Sequence, residues 1–335
     1  MADPTLSLAW LVLAHLVADF VLQTRSIVAD KFTLGWRGWR GLLTHGAAVA
    51  LCLIPFSAAF EGPGLVLLVV VTVGHVIIDR WKVRATRHAE AEALAAAHRR
   101  HEGPSASGLG PAWTPLPGAL FALDQLAHVV LMLAAWAILV AGRAPGATFV
   151  GAVDRVLGTA DRAAVHAGTL VAVVFVALAI VNIRGAALFV STLVRPREAV
   201  TGGEAPPMRE DAVPATGIAP RSWRVRLGGF VATAEPVTDP TPAPGHAVAD
   251  AQSERASPSQ IGATIGVLER LLIVVLVLTG STAAIGFVVA AKTLARFRQL
   301  DDRDFAEYYL LGTLASVAVA LGSGVVAAAA LATLP

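Results

Sequence analysis

The stretch LAWLVLAHLVADFVLQ, residues 8–23, decides the fold of this chain. It is apolar over nearly the length of a membrane helix, yet it carries His15 and Asp19 one helical turn apart. The whole chain has 335 residues, of which 56% are hydrophobic and 15% are charged. Its mean hydropathy is +0.66. This composition predicts a membrane protein and excludes a soluble enzyme.

Apolar windows recur along the chain at lengths that approach or exceed what a bilayer requires. They lie near residues 5–22, 41–60, 64–84, 118–141, 163–183, 267–291 and 306–333. We therefore expect an all-α, polytopic transmembrane helix bundle with about six or seven membrane segments. We divide it into a four-helix core at 1–141, a further transmembrane helix within 142–194, a linker at 195–260 and a C-terminal part at 261–335.

The segment 195–260 differs in composition from the rest of the chain. It holds ten of the nineteen prolines and has little sustained hydrophobic periodicity, so we predict a disordered linker. Residues 223–233, WRVRLGGFVAT, alternate around two glycines and could form a short hairpin. We expect the linker to act as a tether or to dock a cytoplasmic protein partner.

The distribution of basic residues predicts the orientation. Lysines and arginines concentrate in the segments 23–40 and 80–117, whereas the first five residues and the connection at 60–64 have none. The positive-inside rule then places the N-terminus outside and both basic segments, with 195–260, in the cytoplasm. The net charge is only +2 and the basic residues do not share one folded face, so we do not expect nucleic-acid binding. The lone Cys52 excludes disulfides and thiolate zinc sites.

The window 267–291 leaves two topologies open. A single crossing would place the basic cluster at 292–303 outside, against the positive-inside rule. A break at residues 279–281, Thr-Gly-Ser, would instead make a re-entrant hairpin that is followed by one more helix.

A set of ionisable residues recurs within the first four spans. Three of these spans carry a histidine and an aspartate spaced by four residues, which places both side chains on one helical face. The order within the pair reverses when the helix direction reverses, so all three histidines lie at one depth and the aspartates lie about 5–6 Å nearer the cytoplasm. A fourth histidine falls close to the aspartate layer. The set comprises His15, Asp19, His45, His75, Asp79, Asp124 and His128.

An aspartate inside a membrane helix costs about 2.5–3.5 kcal/mol on insertion scales, so three of them must face inward and meet partners. A divalent cation is the most economical partner. We expect His15, His75 and His128 to bind the metal, and Asp79 and Asp124 to bridge or orient. Asp19 or His45 would accept a proton. Imidazole and carboxylate ligands without thiolate favour zinc over manganese or iron.

Polar residues also surround the predicted cytoplasmic mouth of this cluster. Gln23, Arg25, Lys82 and Gln125 are candidates for binding a substrate or its phosphate group, and Lys31 and Arg80 lie nearby. For each cation taken singly, a role as a helix-end anchor that binds anionic headgroups is the more common one.

The combination of His15-Leu-Val-Ala-Asp19, His45, His75-Val-Ile-Ile-Asp79 and Asp124-Gln125-Leu-Ala-His128 resembles a bacterial integral-membrane family catalogued as domain of unknown function 3307. The resemblance covers roughly residues 6–141, and the pattern from Leu268 to Thr313 is also similar. It implies location in the bacterial inner (plasma) membrane and no particular activity. More distantly, histidines and aspartates on apolar helices look like those of membrane-bound metal-dependent hydrolases.

Three functional interpretations follow from the sequence. The leading hypothesis is a metal-dependent hydrolase that acts on a phosphoester at the cytoplasmic interface. The second is a transporter or channel for a divalent cation or protons that uses the same residues. The third is a non-catalytic membrane adaptor in which the polar cluster only stabilises the fold.

Overall fold

The computed structural model describes residues 4–99, 113–194, 224–227, 230–233 and 258–334. Its α-helices are α1 (Pro4–Val17), α2 (Arg25–Lys31), α3 (Gly35–Arg99), α4 (Leu116–Leu139), α5 (Ala147–Leu157), α6 (Arg162–Ile180), α7 (Ala186–Val194), α8 (Pro258–Leu278), α9 (Ile285–Ala295) and α10 (Arg303–Leu331). Two π-helical turns, Ala18–Leu22 and Val181–Gly185, continue α1 and join α6 to α7. Two 3₁₀ turns lie at Thr282–Ala284 and Phe297–Gln299. The described chain is otherwise helical, apart from a two-stranded antiparallel hairpin of β1 (Arg224–Leu227) and β2 (Phe230–Thr233).

Five stretches in the described residues are long and apolar enough to cross a membrane. They are Pro4–Leu22, Gly35–Ala96, Leu116–Leu139, Arg162–Val194 and Phe305–Leu331. The predicted helical membrane-type architecture is confirmed in this coarse sense, whereas the count of six or seven crossings stays a prediction. The predicted disorder of 195–260 falls mostly outside the described residues. Within that segment, the strands at 224–227 and 230–233 pair as the predicted hairpin.

The helix α3 is two antiparallel helices joined by a sharp turn. Glu61 has φ 51° and ψ −122°, which reverses the chain between 35–60 and 62–99. These two halves of α3 contain the separate windows that the sequence suggested at 41–60 and 64–84. The first apolar core fills the space between α1, both halves of α3 and α4. It consists of Leu11, Ala14, Ala18, Val49, Leu53, Phe56, Leu67, Val71, Met132, Ala135 and Val140.

The C-terminal helices form a second bundle. Gly280 has φ +72° and ends α8 where the sequence suggested a break, so α9 turns back against α8. The Lys292 ammonium of α9 donates to the Glu269 carboxylate of α8 over 2.5 Å. A second apolar core joins α6, α8, α9 and α10 through Leu170, Val174, Leu178, Ile273, Val274, Ile285, Ala320 and Ala327.

The π-turn Val181–Gly185 gives the second bundle a buried polar centre. A π-turn shifts the backbone hydrogen-bond register, and here the Asn182 carbonyl accepts from Arg270 Nε over 2.7 Å. Arg270 also donates to Ser316 Oγ over 3.1 Å, although its side chain is buried. The first bundle meets this turn, because the Phe20 ring packs where Gly185 leaves room.

Two short helices have no counterpart in the apolar windows. The helix α5 follows the turn at Gly146, whose backbone N–H donates to the Ala59 carbonyl. The helix α2 begins after Thr24, whose hydroxyl accepts from the Ile27 backbone N–H as an N-cap. Helices of 7 and 11 residues fall below the length that a hydropathy window detects.

The helix α2 lies against the start of α3 and is tied to it by charge. Asp30 accepts from Arg37 and Arg40, each over 2.7 Å. These hydrogen bonds, that from Arg40 first, lower the pKa of the Asp30 carboxyl below its ordinary value. The backbones approach closely because position 41 is glycine: a Cβ there would lie 2.6 Å from the Lys31 backbone nitrogen.

We predict that Gly41→Val lowers the stability of the folded protein by about 1–3 kcal/mol, because the added side chain forces α2 away from α3. Thermal unfolding of the detergent-purified chain measures the effect. Gly151→Val in α5 is the matched control, since a Cβ at that helical glycine meets nothing within 4 Å. Equal unfolding temperatures for the two variants would contradict the close approach at Gly41.

Candidate metal centre

The first bundle brings all seven predicted histidines and aspartates to one place. His15 lies in α1 and Asp19 in the π-turn that continues it. The other five come from the two halves of α3 and from α4. Each of the seven side chains is buried, and His45 and Asp124 have no measurable exposure. The cluster lies between the first apolar core and α2, so that its polar groups occupy only one end of the bundle.

The closest grouping in the cluster is a triangle of three ligand atoms. His45 Nε2 lies 2.9 Å from His75 Nε2, and each nitrogen lies 3.2 Å from Asp19 Oδ1. Ligand atoms around tetrahedral zinc lie about 3.3 Å apart, and those on one octahedral face about 3.0 Å apart, for bonds of about 2.1 Å. The triangle therefore has the edge lengths of one face of a metal coordination sphere.

The remaining histidines and aspartates surround this triangle. Asp79 Oδ2 lies 3.7 Å from His45 Nε2 and 3.8 Å from His75 Nε2. Ligand atoms within 4.8 Å of one another define three sets that could hold a metal ion. They are His15 with Asp19 and His75, His45 with His75 and Asp79, and Asp79 with Asp124 and His128.

Gln125 fixes the orientation of His15. The Gln125 carbonyl oxygen, Oε1, lies 3.4 Å from His15 Nε2 and can only accept, so His15 Nε2 carries the proton. The other nitrogen, Nδ1, then presents a lone pair towards Asp19 Oδ1 at 3.8 Å. Two acceptors that face each other in a buried place need a proton or a metal ion between them. The Gln125 amide also donates to Asp19 Oδ2 and to Asp124 Oδ2, over 3.2 and 3.1 Å.

His128 has the least satisfied side chain of the cluster. Neither ring nitrogen has a hydrogen-bond partner among the described residues, and Nδ1 lies 3.7 Å from Asp124 Oδ1. Its ring centroid lies 4.0 Å from that of His75. A buried imidazole without hydrogen bonds is costly, so His128 is available to a ligand that the protein itself does not supply.

Two lysines neutralise the carboxylates that lie outside the triangle. Lys31, at the end of α2, reaches into the cluster and donates to Asp79 Oδ2 over 2.5 Å and to Gln23 Oε1 over 2.7 Å. Lys82 donates to Asp124 Oδ2 over 2.9 Å. With neutral histidines, as metal binding requires, three carboxylates and two ammonium groups leave the cluster one negative charge.

The predicted substrate residues do not all join the cluster. Lys82 and Gln125 contact its carboxylates, and Gln23 contacts it only through Lys31. Arg25 is the first residue of α2 and is exposed. Arg80 stacks instead on Trp39, with its guanidinium carbon 3.9 Å from the ring centroid. Lys31 was expected only near the mouth, and the signal for its burial was the Thr24 N-cap, which starts a helix that carries Lys31 inward.

Comparison with known proteins gives a family match over part of the chain and nothing about activity. Residues 7–150 match the family described as Protein of unknown function (DUF3307). The resemblance inferred from the sequence is confirmed over this segment, which holds every residue of the cluster. No curated protein and no solved structure matches the chain.

We predict that Lys31→Met destabilises the fold by about 3–5 kcal/mol, because it leaves the Asp79 carboxylate buried without its cation. Adding Asp79→Asn to that variant should restore part of the loss. Thermal and denaturant unfolding of Lys31→Met, Asp79→Asn and the double variant in detergent measures this cycle. Arg37→Met is the control, since the Arg37 side chain is 66% exposed and such pairs contribute about 0–1 kcal/mol. A loss for Lys31→Met no larger than that of Arg37→Met would contradict the buried ion pair.

Proposed function

We propose that this protein is a membrane metalloenzyme that hydrolyses a phosphoester at the cytoplasmic interface of the bacterial inner membrane. The observation that carries the proposal is the triangle of His45 Nε2, His75 Nε2 and Asp19 Oδ1, with edges of 2.9–3.2 Å. At this distance either a ring nitrogen carries a proton that it donates within the triangle, or a metal ion lies among the three atoms, and the triangle has the edge lengths for the metal.

The geometry favours a division of labour that differs from the sequence hypothesis. We assign His45, His75 and Asp19 as the metal ligands, with His15 Nδ1 as the next nearest. Two imidazoles and a carboxylate suit zinc, manganese and iron, and zinc remains the first candidate because its sites are commonly built from these donors. Gln125 and Asp124 then hold the ligands in place from outside the triangle.

His45, His75 and Asp19 would hold a divalent ion, which would supply the Lewis acidity that activates water near neutral pH. Asp79 would accept the proton of the attacking water. Its Oδ2 lies 3.7–3.8 Å from both ligand nitrogens, beyond the triangle but within reach of a small molecule bound there. The Lys31 ammonium holds the Asp79 carboxylate in that position.

The charge of the cluster favours an anionic substrate. A divalent ion would convert the single negative charge of the cluster into a single positive charge, in surroundings of low dielectric. An anionic group that binds next to the ion restores neutrality, and a phosphoester carries such a group. Lys82 is the cation beside the cluster with the larger exposure, at 21% of its side chain.

The first apolar core argues against a transport path in this conformation. On the side of the cluster away from α2, the space between the helices is filled by Leu53, Phe56, Leu67 and Met132 with their neighbours. A route for ions should carry polar groups through both halves of the bundle. The hydrolase is therefore our first choice over the transporter. Docking of a protein partner by residues 195–260 stays a separate prediction, which deletion of that segment tests.

We predict that the purified wild-type protein binds about one divalent metal per chain and that His75→Ala and Asp19→Asn weaken binding by more than about 100-fold. Replacing even an outer residue of a metal site costs about 10–100-fold. Elemental analysis gives the metal content, and phosphate release from p-nitrophenyl phosphate gives the activity of the metal-loaded forms.

His88→Ala is the control for this experiment, since that histidine is 77% exposed and pairs with Glu92 on the same helix. It should retain wild-type metal content and activity. Equally negligible metal in wild type, His75→Ala and His88→Ala would overturn the proposal.

A further inference from the structure

The helix surface around the metal centre is apolar at the level of the site. Val21, Ile77 and Leu126 each lie two residues from an aspartate of the cluster in the sequence, and they point outward. They are 51%, 63% and 57% exposed. Such a surface is suited to lipid chains, because exposed apolar patches on this scale are rare on water-facing proteins. A phosphoester that reaches the cluster must therefore approach from the membrane or along its boundary.

The partly exposed residues at the edge of the cluster, its rim, indicate where a substrate can reach it. The histidines, the aspartates and Lys31 are buried, whereas Lys82 and Gln125 are partly exposed. The Lys82 ammonium lies 4.9 Å from the centroid of the Phe121 ring. Access to the cluster thus passes an ammonium group that lies directly against an aromatic ring.

Phe121 of α4 belongs to a row of three rings, with Phe20 of the π-turn after α1 and Phe189 of α7. Its centroid lies 6.5 Å from that of Phe20 and 6.0 Å from that of Phe189. Phe20 is buried, whereas Phe121 and Phe189 are partly exposed and form an apolar surface that adjoins Lys82. A cation next to an extended apolar surface matches a molecule with an anionic head and a hydrocarbon tail.

We propose that the substrate is a lipid phosphate monoester of the cytoplasmic leaflet, with its phosphate at Lys82 and the metal centre and its chains along Phe121 and Phe189. This inference rests on the proposed function. In the reaction the water oxygen forms a new bond to phosphorus and the ester P–O bond breaks. The lipid alkoxide takes up a proton and inorganic phosphate leaves, so no other reactant is needed.

The experiment compares two phosphate monoesters that differ in their hydrocarbon chains. Metal-loaded full-length protein in mixed micelles is given either dioleoyl phosphatidic acid or glycerol 3-phosphate, and released phosphate is measured. We expect kcat/KM to be at least about 100-fold higher for the lipid, the gain expected from a few buried methylenes.

Two substitutions test the row and the rim. Phe121→Ala should raise KM for phosphatidic acid roughly tenfold, the effect of about two lost methylene contacts, and leave glycerol 3-phosphate hydrolysis within about twofold. Lys82→Gln should lower the retention of phosphatidic acid, but not of phosphatidylcholine, in native mass spectrometry. Phe287→Ala is the matched control, since that ring is 79% exposed on α9. Thermal unfolding checks that each variant folds.

The outcomes separate this inference from the proposed function. Equal kcat/KM for the two substrates, or an equal loss for both in Phe121→Ala, overturns the lipid substrate and leaves metal-dependent hydrolysis standing. Hydrolysis of neither compound by protein that has bound metal overturns both proposals. Unchanged phosphatidic acid retention in Lys82→Gln overturns the placement of the phosphate at Lys82.

Discussion

Three carboxylates inside an apolar helix bundle are the constraint around which the N-terminal half is organised. Each carboxylate must meet cations or hydrogen-bond donors, because unpaired charge in such surroundings is costly. Lys31 and Lys82 meet two of them, and the third, Asp19, is shared by the His45 and His75 nitrogens and the Gln125 amide. The helix α2 and its close approach to α3 at Gly41 bring Lys31 into place. The chain reversal at Glu61 brings His75 next to His45.

The two π-turns give the structure positions that regular helices would not supply. In α1 the π-turn carries Asp19 into the cluster, and between α6 and α7 it presents the Asn182 carbonyl to Arg270. A π-turn adds one residue to a helical turn, which alters the direction of every side chain that follows. Each of the two bundles therefore has a buried polar contact at a local departure from α-helical geometry.

The sequence was informative about the cluster and much less so about how its members divide their roles. Spacing of four residues predicted that His15 and Asp19, or Asp124 and His128, share a face, since that follows from helix geometry alone. The pairing of His45 with His75 depends on how the two halves of α3 pack, which no local pattern encodes. Lys31 was counted as a loop residue because hydropathy windows overlook a helix of 7 residues. The π-turns have no sequence signature that we recognise.

The contact between Phe20 and Gly185 has a consequence for where the functional unit ends. The family match stops at residue 150. Phe20, next to Asp19, nevertheless packs against Gly185 beyond that point. Trp113 likewise donates its indole N–H to the Leu193 carbonyl. A fragment that ends at residue 150 would lose the part of the chain that packs against α1 and α4. The segment that matches the family and the smallest piece able to hold its own geometry are therefore different lengths of chain, and truncation studies should begin from the longer one.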